Sequence, residues 1–107
     1  MGMRQYDIYW VNLEPTVGHE IKKVRPAAIL SPDEINRYLK TVIIAPLTTK
    51  FRALPTRVAV SAAGKNGWVM LDQIRTVDKQ RLAARVGGLN DDNIREVKRV
   101  IQQLLVE

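Results

Sequence analysis

The stretch PTVGHEIKKVRP, Pro15 to Pro26, sets the only histidine of the chain, a carboxylate, two lysines and an arginine between two prolines. His19 can gain or lose a proton near neutral pH. Glu20 can accept one as a general base. Arg25 stays charged and presents a planar fork of donors that matches two phosphate oxygens. Two more polar clusters follow apolar runs. PLTTKFR brings Thr48, Thr49, Lys50 and Arg52 out after TVIIAPL, and LDQIRTVDKQR places Asp72, Gln73 and Arg75 after GWVML. Hydroxyls at a strand end can hold phosphate oxygens, a glutamine can read a base edge, and an aspartate can accept from an exocyclic amine. Phe51 and Trp68 flank these clusters as candidate stacking surfaces.

Each residue also has a plainer role. His19 is compatible with simple exposure, Glu20 with a surface ion pair to Lys22 or Lys23, and Arg25 with opening a strand before Pro26. Thr48 and Thr49 suit a turn, Asp72 to Arg75 suit a solvated connection with internal ion pairs, and Trp68 suits the core.

Other chemistries lack their parts. There is no P-loop, dinucleotide fingerprint, nucleophile elbow or HExxH. With no cysteine, disulfides, thiolate metal sites and cysteine nucleophiles are excluded together. Asp91-Asp92 is the closest acidic pair and is better explained as a helix start than as one half of a two-metal site. No metal and no cofactor are therefore expected. Lys and Arg number 17 against 11 Asp and Glu, a formal charge of +6, which points to a polyanionic partner and chiefly to nucleic acid. RNA suits metal-independent chemistry because its own 2′-hydroxyl lies beside the scissile phosphate. The protein then has to supply a base, a proton donor and cations for the crowded phosphorane. Histidine, glutamate and arginine are residue types that meet those needs.

The elements that must position these groups fit a single domain, residues 1–107. Strands are expected at Tyr6 to Leu13, buried on both faces, and at Pro26 to Leu30, Thr41 to Leu47, Thr56 to Val60, Gly67 to Asp72 and Ala84 to Leu89. SAAGKNG reads as a hairpin turn. SPDEINRYLK reads as a short inserted helix in which Ser31 caps, Pro32 opens the first turn and Glu34 completes a capping box. LNDDNIREVKRVIQQLLVE reads as a C-terminal helix capped by Asn90 or Asp91, with Ile94, Val97, Ile101, Leu104 and Leu105 on one face. The fold class is mainly β (α+β), a small curved antiparallel sheet or barrel with two helices. No apolar run reaches the length of a membrane span, and the first residues lack a signal-peptide core, so a cytoplasmic location is expected.

DIYWVNLEPTVGHEIKKVRPAAILSPDEINR, then TVIIAPLTTK, then VMLDQIRTVDKQRL resemble, in order, the segments that define the MazF/PemK family of toxin ribonucleases. The likeness runs from about Asp7 into the C-terminal helix. It implies an SH3-like barrel that forms a homodimer, and a metal-independent endoribonuclease that cuts single-stranded RNA at short sequence motifs. The implied products are a 2′,3′-cyclic phosphate and a 5′-hydroxyl. It also implies a cognate antitoxin whose acidic and apolar tail fills the RNA groove, and operator DNA as a ligand of the two together. By position, Arg25 and Thr48 match the family's catalytic arginine and threonine, and Glu20 a glutamate that moves protons in some members. His19 matches a position held by histidine or serine, and Gln73 a base-contacting glutamine with Asp72 beside it. Thr49, Lys50, Phe51 and Arg75 are expected along the RNA path. Met70 replaces an arginine found in some PemK-type members, so the mechanism built on that arginine and the aspartate is not carried over. Two other classes fit the composition: a nucleic-acid-binding module of the same fold that does not cut, and a small adaptor barrel.

Overall fold

The most apolar run of the chain becomes its most connected strand. In the computed structural model, which describes residues 2–15, 17–20, 23–62 and 64–106, the elements run β1 (Asp7–Asn12), β2 (Val24–Ile29), α1 (Asp33–Tyr38), β3 (Thr41–Thr48), β4 (Arg57–Ala62), β5 (Lys65–Met70), β6 (Arg75–Asp78), β7 (Leu82–Gly88) and α2 (Asp91–Ile101). Every pairing is antiparallel, in the order β4-β5-β3-β2-β1-β7 with β6 also on β3. β2 covers one edge of β3. The other edge is shared, β6 pairing Thr41 to Ile44 and β5 pairing Leu47 and Thr48. Pro46, which has no backbone N–H to donate, falls where the partner changes. The strand thus belongs to both halves of a sheet curled into a half-barrel, the mainly β class expected.

Alternation along the strands sends side chains into two cores. Ile8, Ala28, Ala45, Leu47, Val58 and Val69 pack with Val97 and Val100 of α2. Val11, Ala27, Ile29, Val42, Ile44 and Val77 form the second core. Each fully buried aliphatic side chain contributes about 1.5–3 kcal/mol, so the two cores together hold the curl.

Several local expectations change. β1 is buried on both faces only at Asp7 and Ile8; farther along, Trp10 and Asn12 are exposed. Ser31 does not cap α1. Its hydroxyl donates to Oδ1 of the buried Asn36 and accepts from the amide of Ile43 at 3.1 Å, while Nδ2 of Asn36 donates to the Ser31 carbonyl at 2.8 Å. Buried polar groups have to be paired, and this network ties α1 to β3. β6 is not among the expected strands. Val77 is its one buried side chain, too little apolar pattern for the sequence to declare a strand. Asn90 caps α2 as expected, accepting from the amide of Asn93 at 2.7 Å. Leu104 and Leu105 stay exposed where the helix widens into π-type turns over Gln102–Val106, and Val100 joins the core instead. Among the described residues no helix is long and apolar enough to cross a membrane.

Candidate active site

Arg25 and Thr48 come from the same pair of strands. The β2–β3 ladder matches Ala27 with Pro46, Ala28 with Ala45 and Ile29 with Ile44. Continuing that register two residues past its last pair sets Arg25 opposite Thr48, at the end where the strands part. A cleft of about 220 Å³ opens there, lined among others by Trp10, Arg25, Thr48, Thr49, Lys65 and Gly67. Trp10 reaches it from β1, where it pairs with Pro26. Thr48 is buried, and its Oγ1 accepts from the amide of Lys50 at 3.2 Å, which fixes the side chain at the strand end. Arg25 is half-buried.

A second, open depression of about 370 Å³ is lined by His19, Glu20, Asp72, Gln73, Ile74 and Arg75. Most of the remaining expected residues therefore gather, but around a different centre. The neck of the His19 loop is closed by Leu13 donating to the Lys23 carbonyl at 3.1 Å and by the Lys23 amide donating to the Glu14 carboxylate at 3.0 Å. Arg75 donates to the Leu13 carbonyl at 3.3 Å, and Arg81 to the carbonyls of Asn12 and Glu14. Arg75 is thus a brace for the loop as well as part of the depression. Glu20 accepts from the Val17 amide at 2.7 Å and returns its own amide to the Val17 carbonyl at 3.2 Å. His19 beside it is exposed. Lys22, offered as an ion-pair partner of Glu20, lies outside the described residues.

Lys50 and Phe51 line neither hollow. Phe51 is exposed and meets the half-buried Trp68 edge-on, ring centres 5.4 Å apart at 62°. Asp72 is already engaged. Arg57 grips its carboxylate with two bonds, Nε to Oδ1 at 2.9 Å and Nη2 to Oδ2 at 3.3 Å, and Thr56 adds a third at 3.1 Å. Partial burial pushes the Asp72 carboxyl up, but the bonds from Arg57, its own backbone and Thr56, with the charge of Arg57, outweigh this and hold it below the ordinary carboxylate range. The Arg57 side chain is only 7% exposed, so Asp72 is the counter-charge that makes its burial tolerable.

Sequence reading missed Trp10, Lys65, Gly67 and Arg57. Alternation could have found Trp10: Tyr9 and Val11 pack on the second core, which turns residue 10 to the other face. SAAGKNG announced a turn and nothing of the wall that Lys65 and Gly67 build. Arg57 carries no sequence signal that separates a buried arginine from a surface one.

The fold is thus a curled antiparallel sheet that gathers Trp10, Arg25, Thr48 and Thr49 into one cleft, on a chain whose charge of +6 suits a polyanionic ligand. Residues 4–105 match the family described as PemK-like, MazF-like toxin of type II toxin-antitoxin system, and the chain belongs to that family. It is 34% identical to Endoribonuclease EndoA of Bacillus subtilis (strain 168), over 95% of this chain and 93% of that one. Its backbone superposes on the crystal structure of MazF (Form-I) from Deinococcus radiodurans with a TM-score of 0.90 at 28% identity, covering 100% of this chain and 99% of that one. A MazE-MazF complex (Form-I) from the same organism gives 0.81 at 25% identity, covering 100% and 99%.

The Asp72–Arg57 pair predicts acid sensitivity of a definite sign. A carboxyl depressed in the folded state adds stability above its unfolded pKa, about 3.9, and loses it as pH falls through the lower folded value. Melting temperatures of the parent and of Asp72→Asn should therefore converge as pH drops below about 4. An Asp72→Asn gap that stays constant to the lowest accessible pH would show that the charge of Asp72 contributes nothing.

Proposed function

We propose that this protein is a toxin endoribonuclease that binds single-stranded RNA across both hollows and cuts it at the Arg25–Thr48 cleft without a metal. Endoribonuclease activity is the family's, as in the EndoA relative. The observation that supports the assignment to this cleft is that Arg25 and Thr48, from neighbouring strands, line it together. Support for metal independence comes from the residue supply: one histidine, no cysteine, and among the described residues no group of three or more side chains able to hold a metal ion.

In this mechanism the 2′-hydroxyl oxygen bonds to the adjacent phosphorus while its proton passes through a water to the Glu20 carboxylate, which lines the neighbouring depression. The bond from phosphorus to the 5′-oxygen breaks, and that oxygen takes up a proton from solvent water, leaving a 2′,3′-cyclic phosphate and a 5′-hydroxyl. Arg25 meets the negative charge that builds on the phosphorane with two parallel donors, and the Thr48 hydroxyl positions a non-bridging oxygen. Glu20 lines the second depression with Gln73, so the RNA has to span both hollows, with neighbouring bases at Gln73. His19 serves as a lesser proton carrier in the same loop.

The chain's partners follow from the same surface. A cleft suited to a phosphate chain attracts an acidic peptide, with apolar anchors to hold it, and the MazE-MazF structure is a complex of this kind of chain with another protein. A second copy is the other partner: Ile35, Tyr38 and Leu39 of α1 and its end are exposed along one shallow apolar hollow, which pairing would cover. Sedimentation at micromolar concentration should give a dimer, and an acidic antitoxin should bind it with an affinity that falls as salt rises. A monomer, or binding indifferent to salt, would contradict these two assignments respectively.

Cleavage itself is tested by single-turnover rates on one short RNA in EDTA, with end-group analysis of the products. Arg25→Ala should lose about 100- to 1000-fold in rate, the scale of a lost oxyanion donor, and Arg25→Lys should recover little because a point charge lacks the fork. Thr48→Ala should lose less, and His19→Ala less still. Folded Arg25→Ala cutting at the parent rate would remove Arg25 from the chemistry, and RNA left intact by the parent would favour the binding-only reading.

A further inference from the structure

We infer that Gly67 is a positioning residue for Thr48, its missing side chain being what lets the end of β3 settle against β5 with the threonine in the cleft. This rests on the reading of Thr48 as a member of the reactive site.

A Cβ added at Gly67 would lie 2.8 Å from the carbonyl oxygen of Thr48 and 3.6 Å from its carbonyl carbon. No ordinary contact is that short, and the atom approached is backbone, so it has no rotamer to retreat into. Gly67 is buried, pairs with Val60 on one side and lines the cleft on the other. Its freedom to yield is small, because β4 holds β5 over six consecutive pairs from Arg57 with Met70 to Ala62 with Lys65. Thr48 is the more lightly held of the two. It is the last residue of β3, and the β3–β5 ladder consists of Leu47 with Val69 and Thr48 with Trp68. A methyl group at position 67 should therefore displace the Thr48 peptide rather than the hairpin. Because the Thr48 side chain is anchored locally, to the amide of Lys50, it has to travel with its own backbone.

The same hairpin supplies its own control. Gly64 adopts a conformation that disfavours other residues, φ +73°, yet a Cβ there meets nothing within 4 Å. Gly64→Ala strains the hairpin without touching β3 and stands outside both hollows. Loss of hairpin stability and displacement of Thr48 can thus be separated.

The experiment is a cycle of Gly67→Ala, Thr48→Ala and the double variant, with Gly64→Ala alongside. Single-turnover cleavage at saturating RNA, RNA affinity and melting temperature are read for each. Gly67→Ala is expected to lose about 10- to 100-fold in cleavage rate, the cost of a misplacement on the order of 1 Å, with RNA affinity held within about threefold. Gly64→Ala should lower the melting temperature and leave the cleavage rate at the parent value. In the Thr48→Ala background, adding Gly67→Ala should cost little more, since the group it displaces is already gone. A full Gly67 penalty persisting in that background would overturn the inference, because the methyl would then act by filling the cleft. A Gly64→Ala rate loss equal to that of Gly67→Ala would overturn it too. If Thr48→Ala cut at the parent rate, the failure would lie with the catalytic reading of Thr48, a different result from either.

Discussion

β3 has to satisfy its backbone on both edges, and no single neighbour runs the length of its outer one. β6 serves the first half and β5 the second, with Pro46 at the change. From that division follow the curl of the sheet, the two cores on its faces, and the parting of β2 from β3 where Thr48 emerges. The cleft is the place where the ladder runs out. A strand this apolar is held to about one arrangement, because slipping its register by one residue would exchange the side chains of the two cores.

Charge is organised around the same frame. Arg57 is buried and neutralised by Asp72, while Arg75 and Arg81 spend donors on the carbonyls of Asn12, Leu13 and Glu14 at the neck of the His19 loop. The excess of cations is therefore not all available to a polyanion. Some of it braces the neck of the His19 loop and the turn that carries Asp72. Asp72 is part of the same arrangement: three donors grip its carboxylate, so its charge serves the buried Arg57 side chain.

Much of this was open to sequence reading where apolar periodicity was strong. TVIIAPL, PAAIL and the helix face around Val97 announced themselves, and the order of the polar clusters was enough to reveal the family. The remainder depended on contacts that leave no local trace. Ser31 has the right neighbours for a cap, yet a buried Asn36 and the amide of Ile43 claimed its hydroxyl. β6 is four residues with one buried side chain, so only the free edge of β3 identifies it as a strand. The loop residues His19 and Glu20 and the strand residues Arg25 and Thr48 are close in function-like composition, but the fold assigns them to two hollows, and nothing in their spacing says so. Gly67 reads as one more turn glycine until the carbonyl of Thr48 is set beside it.

The proposed chemistry requires the strand ends carrying Arg25 and Thr48 to hold the scissile phosphate. The most direct measurement is a crystal structure with a short RNA whose scissile nucleotide lacks the 2′-hydroxyl, so that it binds and cannot be cut. The phosphate 3′ of that nucleotide is expected within hydrogen-bonding distance of both the Arg25 guanidinium and the Thr48 hydroxyl, with a neighbouring base at Gln73. A scissile phosphate seated in the His19–Gln73 depression, with the Arg25–Thr48 cleft empty, would contradict it.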